Sequence, residues 1–163
     1  MLRLNRMTDY AIVVLGQMAQ DVGRVRTAAA LADATGVPVP TVSKLLKQMA
    51  GAALINAHRG AKGGYSLDRP AAGVTVTEII QALEGPIALT ACVDGAEDSC
   101  EVERCCPMRG NWNRVNRAIR AALDAVSLAD MLDPEGMFPV RTPAVGARAA
   151  GTLLAAPAAG AAE

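Results

Sequence analysis

LADATGVPVPTVSKLLKQM, residues 31–49, carries the clearest structural pattern in the sequence. Thr27 precedes it as a candidate N-cap, and Gly36 stands where a short first helix would end. After the turn, Pro40 suits the first position of a second helix, because the backbone N–H that proline lacks would have no partner there. The apolar side of this second helix consists of Val42, Leu45, Leu46 and Met49. Two short helices joined by a tight, glycine-containing turn predict a helix-turn-helix motif.

The outward side of the second helix carries small polar and basic residues. Hydroxyl side chains can contact base edges in the major groove, and lysines can reach phosphates. A helical hairpin that only packs against its neighbours is the alternative for this pattern alone. The candidate DNA contacts on this helix are Thr41, Ser43, Lys44 and Lys47.

A basic β-hairpin is predicted directly after the second helix. Residues 54–58 (LINAH) and 64–67 (GYSL) read as two strands around a flexible tip. Helix, turn, helix and hairpin follow one another in this order in winged-helix proteins. Arg59 and Lys62 in the tip are therefore candidate contacts to the minor groove or its phosphates. The single histidine, His58, is expected to be a strand or phosphate contact and not a metal ligand.

Apolar residues at helical spacing predict further helices on both sides of this motif. Thr8, Thr77 and Ser127 are candidate N-caps for three of them. The first helix is expected to end near Gln20, and the stretch 87–89 reads as a short strand that leads into the cysteines.

A longer helix is predicted from Pro107 to about Val126. Its apolar residues recur at steps of three and four, a heptad-like seam that can pair with the same helix of a second subunit. Packing within its own domain is the alternative. The seam residues are Trp112, Val115, Ile119, Leu123 and Val126.

Residues 92–106, CVDGAEDSCEVERCC, hold all four cysteines of the chain. Seven residues separate Cys92 from Cys100, four separate Cys100 from Cys105, and Cys106 follows at once. The residues between them are acidic, small and turn-forming, so this segment cannot pack a core of its own. Converging thiolates indicate an iron–sulfur cluster or another soft metal. Zinc stays open although no CxxC pair is present, and inert or redox-active thiols are the remaining alternative.

Composition and charge narrow the class of protein. No apolar run approaches the roughly 18–20 residues that cross a bilayer, so no membrane partner is expected. Residues 1–70 hold nine Lys and Arg against four Asp and Glu, a charge of +5, whereas residues 71–110 hold two against seven, a charge of −5. A basic lobe followed by an acidic cysteine segment fits a nucleic-acid reader joined to a sensor. We expect a cytoplasmic protein, in a compartment that keeps thiols reduced.

These patterns predict a mainly α fold with a small β-hairpin wing, in which a winged helix-turn-helix DNA-binding domain is joined to a long dimerisation helix. No catalytic constellation and no phosphate-binding glycine loop is recognisable, so we expect no enzyme. The expected parts are a DNA-binding lobe (1–70), a connecting helix and strand (71–91), a cysteine loop (92–106), the dimerisation helix with a short helix (107–133) and a disordered Ala/Gly/Pro-rich tail (134–163).

Five stretches together resemble the iron–sulfur cluster-sensing winged-helix transcription regulators of the IscR, RirA and NsrR type. They are LRLNRMTDYAIVVLGQMA (2–19), LADATGVPVPTVSKLLKQM (31–49), HRGAKGGYSL (58–67), the cysteine loop, and the run from CPMRGNW to LADML (106–132). The resemblance covers about residues 1–133 and is closest to the branch that regulates the SUF cluster-assembly operon. It implies a homodimer with one cluster per subunit, whose presence or loss changes DNA binding.

The resemblance also implies a set of cluster ligands. Cys92 and Cys100 match the first two ligand cysteines of these regulators. Cys106 matches the third, because it lies six residues before Trp112, as the last ligand cysteine lies before the matching tryptophan. Cys105 would then be a spare thiol, an alternate ligand or a fourth ligand.

The sequence departs from IscR at two positions. Where IscR supplies a histidine to its cluster this chain has Arg109, which cannot ligate iron, so the fourth ligand is open. In an NsrR-type arrangement an aspartate on the first helix of the partner subunit fills that place, and Asp9 stands at the matching position. An ordinary acid in the first turn, stabilised by the helix dipole, is the alternative for Asp9. Ser43 stands where IscR has a glutamate on its recognition helix, which implies a different operator preference.

The expected function is that of a DNA-binding transcriptional regulator, a repressor of a SUF-type iron–sulfur assembly operon. Its partners would be double-stranded operator DNA and a second copy of itself, with no small-molecule substrate. The expected cofactor is an iron–sulfur cluster, [2Fe–2S] in the first place and [4Fe–4S] in the second. The alternatives are a zinc- or thiol-redox-sensing winged-helix regulator and, from another class, an iron–sulfur electron-transfer protein.

Overall fold

The structure is a computed structural model that describes residues 4–60, 62–94, 96, 106 and 111–133. Most of these residues are helical, and a single two-stranded hairpin is found among them. The elements are α1 (Arg6–Ala19), α2 (Ala28–Thr35), α3 (Val39–Gly51), β1 (Asn56–His58), β2 (Gly64–Ser66), a 3-10 turn (Ala71–Gly73), α4 (Val76–Glu84), α5 (Asn111–Asp124) and α6 (Leu128–Leu132). The predicted class, a mainly α fold with a small β-hairpin wing, is confirmed.

Helices α2 and α3 form the helix-turn-helix. The Thr27 hydroxyl accepts the N–H of Ala30 at 3.2 Å, which caps α2 as predicted. Gly36 ends α2 with a φ of 73°, a left-handed conformation that glycine adopts without steric cost. Helix α3 begins one residue earlier than predicted, at Val39, which puts Pro40 at its second position. The N–H of that position also has no intrahelical partner, so proline is tolerated there for the same reason.

The wing is a short antiparallel hairpin, paired in the register Asn56↔Ser66, Ala57↔Tyr65 and His58↔Gly64. Arg26 extends it: the main chains of Arg26 and Tyr65 exchange two N–H···O bonds, both 2.9 Å long. This approach requires glycine at position 64, because a Cβ on Gly64 would lie 2.5 Å from the carbonyl oxygen of Arg26. Strand β1 is shorter than the predicted strand, since Leu54 and Ile55 are buried in the core before it begins.

The main hydrophobic core lies among α1, α2, α3 and α4 and is completed by α6. Its fully buried members include Leu15, Leu31, Leu45, Leu46, Met49, Ile79 and Leu128. Main-chain bonds fasten the start of α4 to the start of α6: Val76 N–H donates to the Val126 carbonyl at 2.9 Å, and Leu128 N–H donates to the Val74 carbonyl at 2.7 Å. The core around the predicted DNA-binding lobe therefore continues beyond residue 70, the predicted boundary of that lobe.

Two of the predicted N-caps are wrong. Helix α1 begins after Asn5, whose side chain accepts a backbone N–H of the first turn at 3.2 Å. Helix α4 begins after Thr75, which forms a capping box with Glu78. Thr8 and Thr77 lie inside these helices and are 1% and 4% exposed. A cap must stand at the exposed start of the helix, whereas these two threonines face the interior.

The predicted strand at 87–89 is also wrong, since this described stretch is irregular and pairs with no strand. Its main chain is hydrogen-bonded by the side chain of Asn116 in α5 instead. Helix α5 occupies most of the predicted long helix but ends at Asp124. Ser127 caps α6 as predicted. Pro107 and the tail 134–163 lie outside the described residues.

No helix in the described ranges is both long and apolar enough to cross a lipid bilayer.

Candidate nucleic-acid interface and cysteine segment

Helix α3 is held by its apolar side and presents its polar side to solvent. The buried residues are Val42, Leu45, Leu46 and Met49. Lys44 and Lys47 are exposed, and Thr41 and Ser43 are partly exposed. The four candidate DNA contacts on α3 are thus accessible to a ligand, on a helix whose position is fixed by the core.

Val39, the first residue of α3, is an exposed residue that the sequence pattern did not indicate. Its side chain is 44% exposed, although the residue is large and apolar. It precedes Ser43 by four residues and Lys47 by eight, a spacing that places the three on neighbouring parts of the helix surface. An apolar side chain at such a position can contact the methyl group of thymine in the major groove. The signal in the sequence was weak, because the VPVP stretch reads first as a turn.

A chain of hydrogen bonds crosses the base of the wing. The Ser66 hydroxyl donates to Asp68 Oδ1 at 2.6 Å and lies 2.8 Å from His58 Nε2, and the Asn56 amide donates to the other oxygen of Asp68. The bond from Ser66, and then that from Asn56, lowers the pKa of the Asp68 carboxyl. His58 lies in β1 and takes part in this network, and Asp68 is a residue that sequence reasoning missed.

The basic residues of the wing differ in their surroundings. Arg24 and Arg26 pair with Asp21 at 2.9 and 2.8 Å, and their hydrogen bonds, from Arg26 first, lower the pKa of that carboxyl. Arg59 and Lys62, by contrast, are exposed on either side of the tip. The predicted tip contacts are therefore accessible to a phosphate backbone.

The cysteine segment is described at its two ends. Cys92 and Cys106 are free thiols and partly exposed, and the Thr90 hydroxyl lies 3.2 Å from the sulfur of Cys92. Within the described part of the chain no group of three or more His, Cys, Asp or Glu side chains is arranged to hold a metal. Cys100, Cys105 and Arg109 lie outside the described residues. Free, accessible thiols are ligands that suit an iron–sulfur cluster and zinc alike.

Two asparagines of α5 bind the main chain before and after Cys92. Asn116 donates to the Ile87 carbonyl at 2.9 Å and accepts the Leu89 N–H at 3.2 Å. Asn113 accepts the Asp94 N–H at 2.8 Å. These side chains replace the strand partner that the sequence seemed to require. Sequence reasoning missed them, because polar residues on a helix read as solvent-facing.

The predicted seam of α5 is divided between two environments. Trp112 and Val115 are 40% and 43% exposed. Leu123 and Val126 pack within the chain, against a cluster of Val76, Ile80 and Ile87 on and after α4, and Ile119 is partly exposed between them. The N-terminal half of the seam is thus accessible to a partner, and the C-terminal half is used inside the subunit.

Glu84, the last residue of α4, connects that helix to the start of α1. Its Oε1 accepts the N–H of Asn5 at 2.9 Å and the hydroxyl of Thr8. Asp9 is exposed and lines, together with Glu84, a cleft of about 730 Å³ at the start of α1. Glu84 also lines a second cleft, of about 310 Å³. The other residues of this cleft lie before and after Cys92 in the chain. One carboxylate therefore borders both the candidate ligand Asp9 and the cysteine segment.

Solved structures similar to this chain are those of regulators. CymR, the global cysteine regulator of B. subtilis, is 26% identical with a TM-score of 0.56, and the match covers 80% of this chain and 96% of CymR. T. potens IscR is 26% identical with a TM-score of 0.55, over 85% of this chain and 93% of that one. The oxidized form of Staphylococcus aureus CymR is 26% identical with a TM-score of 0.53, over 80% and 95%.

A family model that matches the sequence also describes a transcriptional regulator. Rrf2, described as an iron-dependent transcriptional regulator, matches residues 4–134. The matched range begins before α1 and ends after α6, so it includes the helix-turn-helix, the wing and the cysteine segment. The chain therefore belongs to the Rrf2 family of winged-helix, DNA-binding transcriptional regulators.

Proposed function

We propose that this protein is a homodimeric repressor of a SUF-type iron–sulfur cluster assembly operon, which senses cluster status through a cluster of its own. The observation that carries the proposal is the segment 92–106, which places four cysteines directly before α5 of an Rrf2-family winged helix. The proposed regulator acts in the cytoplasm, where its operator DNA lies.

The proposed DNA contacts are those that α3 and the wing offer to solvent. Thr41 and Ser43 would contact base edges, Lys44 and Lys47 phosphates, and Arg59 and Lys62 the minor groove or its phosphates. The two readers of a dimer would meet half-sites about one DNA turn apart. The exposed residues Trp112 and Val115, with Ile119, would supply the contact between α5 helices.

Cys92, Cys100 and Cys106 would hold the cluster, [2Fe–2S] before [4Fe–4S]. A bound cluster would supply a group that iron shortage or oxidants can remove or alter. Cys105 is the alternate thiol ligand. Asp9 of the partner subunit is the proposed fourth ligand, supported by its exposure at the start of α1 and by the cleft that it lines with Glu84.

The decisive experiment is anaerobic purification followed by a visible spectrum and a titration of a SUF-type promoter fragment, before and after iron is removed. We expect a coloured protein whose affinity for that fragment changes with iron. In Cys92→Ser the colour should be lost, and the affinity should no longer respond to iron. A colourless protein with unchanged affinity would contradict cluster sensing and leave the winged-helix regulator intact.

A thiol- or zinc-based regulator is the second candidate. It is favoured by the free, partly exposed thiol of Cys92 beside the Thr90 hydroxyl and by the similarity to CymR. In that case the protein would be colourless, and its affinity for DNA would respond to a thiol oxidant or to zinc. The electron-transfer alternative is not favoured by membership of a regulator family.

A further inference from the structure

Three hydrogen bonds attach the segment around Cys92 to one side of α5. Asn116 holds Ile87 and Leu89 with the two ends of its amide, and Asn113 holds the N–H of Asp94. Cys92 lies between these attachment points in the chain. Its sulfur is therefore carried by a main chain that is fixed on both sides to the same helix.

The chemistry of Asn116 shows that this attachment is built into the fold. The side chain is only 4% exposed, and both its donor and its acceptor are satisfied by main-chain groups. Asparagine is a poor residue for the interior of a helix, so a buried asparagine at this position is best explained by the two bonds that it makes. Asn113 stands three residues earlier, a spacing that places both amides on one side of α5.

Next to the side of α5 that carries the two asparagines lies a second, exposed and apolar surface of the same helix. Trp112 and Val115 are each the neighbour of one asparagine in sequence, and both are exposed. A helix turns by about 100° per residue, because it has about 3.6 residues per turn. Val115 is therefore rotated by about 100° from Asn116, whereas Trp112, four residues before Asn116, lies close to the same side of α5. The accessible apolar residues thus border the side of α5 that holds the Cys92 segment.

We propose that Asn113 and Asn116 are positioning residues for Cys92. They hold its sulfur at a defined place on α5, so that a group bound to Cys92, or a chemical change there, acts on α5 itself. The consequence for DNA binding rests on the proposed function, because it requires that the cysteine segment senses a signal. The positioning of the thiol can be measured without any cluster or DNA.

The test uses the full chain, reduced and free of metal. The rate at which iodoacetamide alkylates Cys92 is followed by peptide mass spectrometry, and the exchange of the Asp94 amide hydrogen by NMR. Asn113→Ala should speed the exchange of the Asp94 amide about fivefold, the factor that corresponds to the loss of one neutral hydrogen bond. It should also raise the alkylation rate of Cys92. Asn113→Asp should restore both rates, because its carboxylate oxygen can accept the same N–H.

Arg117→Ala is the matched control, an exposed position on the same helix. Asn116→Ala should speed the exchange of the Leu89 amide hydrogen in the same way. The thermal unfolding midpoint of this variant shows whether it is folded. If Asn116→Ala is not folded, the comparison of Asn113→Ala with Asn113→Asp tests the proposal. A folded Asn113→Ala that reacts like Arg117→Ala, or an Asn113→Asp that does not restore the rates, would overturn the proposal. Failure of the wild-type protein to bind the promoter fragment would instead count against the proposed function and leave the thiol measurement valid.

Discussion

Val39 and Ser43 lie four residues apart at the start of α3, where an exposed apolar side chain stands next to a hydroxyl. If Val39 contacts a thymine methyl, replacing that thymine by deoxyuridine removes one methyl group. The affinity of the wild-type protein should then fall about fourfold, since burying one such carbon contributes about 0.8 kcal/mol. Val39→Ala should bind more weakly to the unmodified operator and should not respond to the deoxyuridine, as a titration of both proteins on both fragments will show.

Lys44→Ala is the matched comparison for that experiment. A lysine at a phosphate should weaken binding to all sequences alike and reduce the dependence of affinity on salt. If deoxyuridine at every thymine costs Val39→Ala as much as it costs the wild type, Val39 contacts no thymine methyl.

Thr77 carries a buried hydroxyl without a hydrogen-bond partner in the described structure. An unpaired buried polar group costs on the order of 1–3 kcal/mol, and valine has nearly the same shape. Thr77→Val should therefore raise the thermal unfolding midpoint. Thr75→Val, two residues earlier, should lower it, because that change removes an N-cap contributing about 1 kcal/mol. An unchanged or lower midpoint for Thr77→Val would show that the hydroxyl is satisfied, for instance by a bound water.

At the scale of the elements, the base of the wing depends on an ionised Asp68. Its pKa is lowered from 3.8, chiefly by the bond from Ser66 and next by that from Asn56. Because the pKa of Asp68 is lowered in the folded state, this stabilisation is fully present at any pH above the ordinary pKa of an aspartate. It is lost as the pH falls through the pKa of the folded state. The wing should therefore keep its hydrogen-bonded base above about pH 4 and loosen in stronger acid.

An NMR titration of the Asp68 carboxyl checks this dependence. The midpoint should lie below 3.8 in the wild type, and Ser66→Ala should raise it more than Asn56→Ala does. A wild-type midpoint at or above the ordinary value would mean that Ser66 does not favour the carboxylate.

The elements also show what local sequence patterns could and could not predict. The helix-turn-helix was predictable because Thr27 and Gly36 mark the two ends of α2, and because proline is tolerated at only a few positions of a helix. The caps at Thr8 and Thr77 were wrong because another capping residue, Asn5 or Thr75, lies just before each. The strand at 87–89 was wrong because its hydrogen-bond partner, Asn116, is a side chain 27 to 29 residues away.

In the molecule as a whole, Leu128 completes the main hydrophobic core from the far end of the described chain. It is fully buried, and Leu128→Ala should lower the free energy of unfolding by about 2–5 kcal/mol. Met131→Ala, on the same short helix but 48% exposed, should change it by no more than about 0.5 kcal/mol. Urea unfolding of the three proteins measures both values, and equal effects of the two changes would contradict a core role for α6.

Sequence reasoning predicted the exposed polar and basic residues of α3 and the wing better than the core that supports them. The basic wing and the polar side of α3 follow from neighbouring residues. The contacts of Leu128 with the core and of Glu84 with the start of α1 depend on tertiary packing, which no short-range pattern reveals. For the same reason the division at residue 70 did not anticipate the shared core.

The main-chain bonds between the start of α4 and the start of α6 bear on how the proposed regulator would acquire its cluster. The main hydrophobic cluster takes its described members from residues 11–79 and from Leu128, and none from 92–106. A zinc finger must bind its metal in order to fold, whereas the described core here is assembled without side chains of the cysteine segment. With the proposed cluster, such a protein would be synthesised empty, then filled, emptied and refilled within its lifetime, without dismantling the proposed DNA-reading surface.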